Sequence, residues 1–229
     1  MLILAIDTAL DACAVGVLDT VAGTMIAQQS LSMARGHAEA LMPLIDQVMK
    51  QSRVGFNDLD RIAVTTGPGS FTGLRVGLSA ARGIALAANK PAVGVTTLTA
   101  YAAAAISETG RHPVISVIDA RHDHVYYQVV SGNGASLIRP KVAPIDKVLE
   151  AARYGTPIIV GNAARLIADR WPADVAPVSV DTQPAPDIAW VGWLGAAVNP
   201  SSAPARPLYL RAPDAKPQAS TAFPRVAQP

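Results

Sequence analysis

The chain has 229 residues, half of them hydrophobic, so it is long enough to bury a sizeable core. Its formal net charge of +2 is close to neutral, and no basic run resembles a patch that grips RNA. The single cysteine, Cys13, cannot form an internal disulfide. No signal peptide is recognisable, and no apolar window reaches the roughly 18 residues needed to span a membrane. We therefore expect a globular cytoplasmic protein that does not enter a membrane and has no patch of its own with which to grip RNA.

The first part of the chain alternates between strand and helix patterns. Short apolar runs predict strands over Leu2–Ile6, Cys13–Leu18, Thr24–Ser30, Arg61–Thr65 and Ala92–Val95. Apolar residues spaced three and four apart predict helices over His37–Lys50, Leu74–Ala88 and Leu98–Ile106. Pro43 lies inside the first helical pattern, where it should kink the helix or mark its first turn. The order predicts an α/β fold that starts with antiparallel strands.

A similar order then begins again. The segment IDARHDHVYYQVV (Ile118–Val130) keeps the Ile-Asp start and the β-rich run of IDTALDACAVGVL (Ile6–Leu18). Further strands are predicted over Val114–Ile118, Val125–Val130, Leu137–Arg139 and Pro157–Val160, and helices over Ile145–Ala152, Ala163–Ala168 and Asp187–Val198. We expect two pseudo-repeated halves, residues 1–110 and 111–211, of which the second is reduced. Residues 212–229 are rich in Pro and Ala and are expected to form a disordered tail.

A glycine-rich turn, GPGSFTG (Gly67–Gly73), separates a predicted strand from a predicted helix. Backbone N–H groups at such a turn can converge on an anion at the helix N-terminus. The spacing fits neither a dinucleotide fingerprint nor a P-loop, because Leu74-Arg75 follows where Lys-Ser/Thr is required. The turn therefore has two readings, a tight connection or an anion site.

Asp7 and Asp119 end the first strands of the two halves, where a duplicated sheet would bring them to a shared cleft. The turn and these acids define candidate nucleotide- or anion-binding residues: Asp7, Thr8, Gly67, Gly69, Ser70 and Asp119. No spacing of His, Cys, Asp or Glu predicts a metal site.

The helix that follows the glycine-rich turn has two apolar sides and carries glycines at positions 77 and 83, each costing about 1 kcal/mol relative to Ala. Such a helix can pack against the sheet on one side and against a second protein on the other. The predicted partner-binding face combines nine residues: Ala38, Leu41, Met42, Ile45, Met49, Val76, Gly77, Ala80 and Ile84. The alternative, that both helices only cover the same sheet, stays open.

Five segments together resemble the TsaB (YeaZ) family. They are ILAIDT (Ile3–Thr8), GPGSFTGLRVG (Gly67–Gly77), GVTTL (Gly94–Leu98), IDARHDHVYY (Ile118–Tyr127) and PLYLR (Pro207–Arg211). They occur in the family's order from Met1 to about Arg211, and the tail lies outside the resemblance. The resemblance implies the actin-like ATPase (ASKHA) fold, shared with Hsp70 and sugar kinases.

The same resemblance implies a non-catalytic subunit that supports threonylcarbamoyl transfer to N6 of adenosine 37 in tRNA. Its expected partners are a TsaD-like catalytic paralogue and a TsaE-like ATPase, with tRNA bound only through the complex. ATP or ADP is expected only within that complex, and a homodimer when the partner is absent. In TsaD a metal-binding HxxxH pair occupies the positions that align with Thr97 and Tyr101 here. Neither residue replaces a metal-bound imidazole, and this difference separates scaffold from catalyst.

Other functional classes remain as alternatives. A stand-alone actin-fold kinase needs a phosphate loop in both halves, whereas Val160-Gly161-Asn162 is a poor second loop. A metalloprotease needs the missing ligands. A nucleotide-binding regulatory module is distinguished from a scaffold by titrating ATP or ADP into the isolated chain.

Overall fold

The computed structural model describes residues 1–211. Its strands are β1 (Leu2–Asp7), β2 (Ala12–Asp19), β3 (Thr24–Ser32), β4 (Arg61–Thr65), β5 (Ala92–Val95), β6 (Val114–Asp119), β7 (His124–Val130), β8 (Ser136–Pro144), β9 (Ile158–Val160) and β10 (Ser179–Asp181). Its α-helices are α1 (His37–Ser52), α2 (Phe71–Ala88), α3 (Thr97–Thr109), α4 (Ile145–Leu149), α5 (Ala164–Ala168) and α6 (Ile188–Ala197). The predicted disordered tail, residues 212–229, lies outside the described residues.

The strands form two five-stranded sheets with the same internal order. The first runs β3-β2-β1-β4-β5, and the second runs β8-β7-β6-β9-β10. In each sheet the first three strands pair antiparallel and the last two join in parallel. The parallel pairs require crossover helices, such as α1 between β3 and β4 and α2 between β4 and β5. This repeated topology confirms the predicted α/β fold of the actin-like ATPase class.

Strand β10 is the one strand of the described residues that the sequence did not predict. It has three residues, Ser179–Asp181, and two of them are exposed, so no apolar run announces it. It pairs with β9 as β5 pairs with β4, and it completes the second copy of the sheet.

Side chains that alternate along the strands of the first sheet pack into two separate core layers, one on each face of the sheet. Leu4 and Ile6 of β1 face α1 and α2, whereas Ile3 and Ala5 face α6. The alternation follows from the two-residue period of a strand, which sends successive side chains to opposite faces. All four side chains are fully buried, so both faces of the sheet are covered.

Helix α6 lies within the range assigned to the second half, yet it packs on the first sheet. A Cβ added at Gly195 would collide with Ala63 of β4, so the missing side chain allows close helix–sheet contact. The Arg61 guanidinium donates hydrogen bonds to carbonyl oxygens at the end of α6, including that of Val198 at 2.7 Å. These bonds satisfy acceptors that a helix C-terminus leaves unpaired.

Several boundaries differ from the sequence prediction; β8, for example, runs over Ser136–Pro144 where Leu137–Arg139 was predicted. Helix α2 begins at Phe71, three residues earlier than predicted, because Ser70 caps it by accepting a hydrogen bond from the Gly73 amide. Pro43 lies inside α1, seven residues into the helix, and so does not mark its first turn. Among residues 1–211, no helix combines the length and apolar character needed to cross a bilayer.

Candidate functional site

An open groove of about 530 Å³ runs between α1 and α2 on the outer side of the first half. Its lining is almost entirely uncharged: Ala38, Leu41, Met42, Phe71, Thr72, Arg75, Val76, Ser79 and Ala80. Met42 is 52% exposed and Phe71 is 44% exposed, so two large apolar side chains that line one groove are both accessible to solvent. The groove is therefore a candidate docking surface.

Only part of the predicted partner-binding face reaches this groove. Ala38, Met42, Val76 and Ala80 line it, and Leu41 contributes at its floor. Ile84 is partly buried and packs on the core cluster beneath the two helices. The docking surface stays a prediction, and the groove also includes four residues that the predicted face left out: Phe71, Thr72, Arg75 and Ser79.

The remaining predicted contact residues face inward, and this corrects their assignment. Ile45 and Met49 are at most 5% exposed and belong to the core between α1 and the sheet, and Leu41, at the floor of the groove, packs in the same core. Apolar spacing along α1 identified the face of an amphipathic helix that its own sheet covers. A charge at Leu41 would therefore unfold the protein before it tested any partner.

Gly77 also faces inward. A Cβ at this position would collide with the hydroxyl oxygen of Thr8, and Val64 lies just beyond. The glycine is required for close packing of α2 on the end of β1. Gly77→Leu would disturb folding rather than exclude a partner.

The glycines of the turn before α2 serve the same close packing. A Cβ at Gly69 would collide with the carbonyl oxygen of Ala9, and one at Gly73 with that of Thr8. The Ser70 amide donates to the Ala9 carbonyl over 2.7 Å. The turn is thus pressed directly against the segment that follows β1.

Because of this packing, several of the donors that would bind an anion are already engaged. The Ser70 amide is bonded to Ala9, and the Gly73 amide is bonded to the Ser70 hydroxyl over 3.3 Å. Gly67 has a φ of 104° and accepts a hydrogen bond from the Thr97 amide. The geometry favours the tight-connection reading of the glycine-rich turn over the anion-site reading.

Asp7 lies beneath this turn and is fully buried. Its Oδ1 accepts hydrogen bonds from the Thr65 hydroxyl at 2.6 Å and from the Ala9 amide at 3.0 Å, whereas Oδ2 has no partner. Burial raises the pKa of the Asp7 carboxyl, and the hydrogen bonds offset this only in part. The neighbouring Thr8 hydroxyl donates to the Gly73 carbonyl at 2.7 Å. Asp7 therefore ties β1 to β4.

Asp119 is in a different environment, because it is exposed at the end of β6. Its Oδ1 accepts a hydrogen bond from the Arg121 amide at 2.7 Å, and its own amide donates to Asn162. Arg121, His122 and Asp123 then all have positive φ angles, so they form an unusual left-handed turn. One of the two predicted acids thus faces solvent while the other is enclosed.

A polar cleft of about 640 Å³ lies where α3, α6 and β3 approach the second sheet. Its lining includes the carboxylates of Asp11, Glu108, Asp181 and Asp187, and none of the described residues lining it is Lys or Arg. A negative lining repels phosphate groups. This cleft therefore suits a nucleotide poorly.

The two residues aligned with the HxxxH pair are both buried. Thr97 is fully buried in the first turn of α3, and the Tyr101 hydroxyl donates to the Gln183 carbonyl at 2.8 Å. Over residues 1–211, no three side chains of His, Cys, Asp or Glu are grouped so that they could hold a metal.

Sequence reasoning missed an aromatic cluster at the rim of the groove. The rings of Phe71 and Tyr209 lie 5.6 Å apart, and the Arg75 guanidinium carbon lies 3.7 Å from the centre of the Phe71 ring. The two aromatic residues are visible in GPGSFTG and PLYLR, but these segments are so far apart along the chain that the sequence does not show that the rings meet. The contact is formed because the Leu208 amide donates to the Thr66 carbonyl at 2.8 Å.

Comparison with known proteins gives a consistent picture. A family model described as TsaD, tRNA N6-adenosine threonylcarbamoyltransferase, matches residues 24–197. The tRNA threonylcarbamoyladenosine biosynthesis protein TsaB of Haemophilus influenzae is 38% identical over 128 residues, covering 56% of this chain and 53% of that protein. The chain thus spans about half the length of this curated relative.

Two further similarities extend over almost the whole chain. An uncharacterized protein of Mycobacterium tuberculosis is 34% identical over 222 residues, or 95% of each chain. The structure of YeaZ from Pseudomonas aeruginosa has a TM-score of 0.76 and 28% identity, covering 91% of this chain and 99% of that one.

Proposed function

The chain belongs to the TsaB (YeaZ) family, and from this premise we propose that it is a scaffold subunit in the biosynthesis of threonylcarbamoyladenosine in tRNA. In this proposal it binds a TsaD-like catalytic paralogue and, with a TsaE-like ATPase, supports transfer of threonylcarbamoyl to N6 of adenosine 37. The tRNA is held by the complex, because this chain has a net charge of only +2.

The observation that carries the proposal is the apolar groove between α1 and α2. Met42 and Phe71 expose about half of their surface there, although both α-helices also have a fully buried face. Burying one large apolar side chain contributes about 1.5–3 kcal/mol, so such a surface gains stability when a partner covers it. The groove is therefore the proposed docking surface.

Gly83 supports the same surface from α2. It is exposed, its backbone needs no positive φ, and a Cβ added there would meet nothing within 4 Å. A helical glycine costs about 1 kcal/mol relative to alanine, and no contact among the described residues explains this cost. Close approach of a second helix would explain it.

The burial and hydrogen bonding of the candidate chemical groups support a non-catalytic role. Asp7 is enclosed, donors of the glycine-rich turn are bonded within the chain, and the Tyr101 hydroxyl is engaged. With these contacts, the candidate residues named within 1–211 do not assemble into a set of acid, base and anion donors for kinase or transferase chemistry. ATP and ADP are accordingly proposed to act in the assembled complex, at sites outside this chain.

Met42→Glu tests the docking surface. Placing a carboxylate in the apolar groove should weaken binding to the transferase-type subunit of the same organism at least tenfold, or about 1.4 kcal/mol. Gln47→Glu is the matched control, because it adds the same charge to an exposed position of α1 that does not line the groove. Affinity is measured by titration calorimetry after circular dichroism has verified folding.

The same pair of variants tests the biological role. In cells depleted of the native chain, the Gln47→Glu protein should restore threonylcarbamoyladenosine in tRNA, and the Met42→Glu protein should not. Mass spectrometry of digested tRNA gives the readout. Normal partner binding and normal modification with Met42→Glu would place the interface elsewhere. Steady kinase or transferase turnover by the purified chain would refute the scaffold role.

A further inference from the structure

Arg75 is held over the Phe71 ring at the rim of the docking groove. The distance from the guanidinium carbon to the ring centre is 3.7 Å, and Tyr209 contacts the same ring from another direction. Phe71 and Tyr209 are 44% and 45% exposed, and Arg75 is exposed as well. Three large side chains are thus ordered against one another at the surface.

The stacked guanidinium keeps its hydrogen-bonding capacity. Within residues 1–211, Arg75 takes part in no ion pair and no side-chain hydrogen bond. Its guanidinium contacts the Phe71 ring. Stacking uses the flat face of the group, so the N–H donors in its plane remain available. An arginine fixed in this way matches the two oxygens of a carboxylate and loses little side-chain entropy on binding one.

The chemistry of the groove identifies what it accommodates. Arg75 is the one charged residue among the described residues that line the groove, and the others are apolar or carry a small hydroxyl. The complementary surface is consequently apolar with a single acidic side chain. We propose that the groove binds an apolar face of a different protein chain, with one carboxylate of that chain paired to Arg75 over Phe71. This inference rests on the proposed function and deepens it.

A second copy of this chain fits the groove less well. A two-fold interface brings the same patch together twice, and none of the described residues that line the groove carries a carboxylate. The exposed Glu39 of α1 lines the adjoining pocket instead. Self-association through these residues would bury Arg75 without a counter-charge, which is unfavourable. The cluster thus favours the partner over the homodimer.

The experiment compares Arg75→Gln and Arg75→Lys with the unaltered full chain. Binding of the transferase-type subunit and self-association are both measured, at low and high salt. Arg75→Gln should weaken partner binding about tenfold or more and reduce its salt dependence, without weakening self-association. Arg75→Lys keeps the charge but loses the planar fork, so it should recover only part of the affinity. Phe71→Ala, which removes the stacking surface, should also weaken partner binding.

Every outcome of this experiment either supports or overturns the pairing of a partner carboxylate with Arg75. Partner affinity and salt dependence that are unchanged in both folded Arg75 variants would overturn it. If Met42→Glu still abolishes binding in that case, the groove remains the interface and only the carboxylate pairing fails. If Met42→Glu also has no effect, the proposed function fails with it. An equal loss of self-association in Arg75→Gln would show that a second copy supplies the acid, and would overturn the preference for a different chain.

Discussion

The two glycines of α2 give a matched test of how this helix is held. Gly77 and Gly83 are six residues apart in one helix, and neither has a positive φ. A Cβ at Gly83 would lie in open space, whereas one at Gly77 would collide with the Thr8 hydroxyl. The same substitution, glycine to alanine, should therefore have opposite effects on the free energy of unfolding.

The magnitudes follow from the local contacts. Gly83→Ala should stabilise the chain by about 1 kcal/mol, because alanine has the higher helix propensity. Gly77→Ala gains the same propensity but forces Thr8 to move, at a packing cost of about 1–3 kcal/mol. It also disturbs the buried bond from Thr8 to the Gly73 carbonyl, worth about 0.5–1.5 kcal/mol. We expect a net loss of about 0.5–3.5 kcal/mol.

Thermal and urea unfolding measure both variants. In a chain of this size, each kcal/mol corresponds to a change of about 2–4 °C in melting temperature. Adding Thr8→Ala to Gly77→Ala makes room for the new methyl group, so the double variant should be more stable than additivity allows. A Gly77→Ala protein as stable as wild type, or no coupling with Thr8→Ala, would refute the packing described for α2.

Three further outcomes are expected. Burial raises the pKa of Asp7, so the folded chain retains a proton that the unfolded chain releases above about pH 4, and this group's contribution to stability is lost as pH rises. Asp7→Asn should therefore gain stability relative to wild type between pH 4 and 7. A difference in urea melts that stays constant with pH would contradict this. Burial, and to a smaller extent the charge of Asp7, raises the pKa of Cys13 to about 11. A thiol reagent at pH 8 should therefore label the chain only after denaturation. Rapid labelling of the native protein would contradict this expectation. Truncation after Ala212 removes residues too poor in aliphatic side chains to build a core and should leave melting temperature and partner binding unchanged, whereas a fall of several degrees would show that they contribute.

The strands and helices of the first half were predictable because their signals are local. Apolar runs of four to six residues marked β1 and β4, and helical spacing marked α1. Strand β10 gave no such signal, because three residues with two exposed side chains carry almost no pattern. It forms only because β9 offers an unpaired parallel edge.

The candidate site was predictable only in outline. Periodicity located two amphipathic helices, but it cannot distinguish the face that covers the chain's own sheet from a face that awaits another protein. The prediction accordingly placed Ile45 and Met49 at the surface, although both lie in the core. Other members of the predicted face do line the groove, namely Ala38, Leu41, Met42, Val76 and Ala80.

The sequence by itself determined the repeated α/β order, the family and the existence of a close-packed glycine-rich helix, because each depends on residues near one another along the chain. The tertiary structure alone decided that the glycines of the turn press on the backbone after β1, that Asp7 is enclosed, and that Tyr209 meets Phe71. Those contacts join segments from 58 to 138 positions apart, as between Asp7 and Thr65 or Phe71 and Tyr209. Their geometry depends on how the sheets, helices and terminal stretch pack together, and local sequence patterns carry no record of that packing.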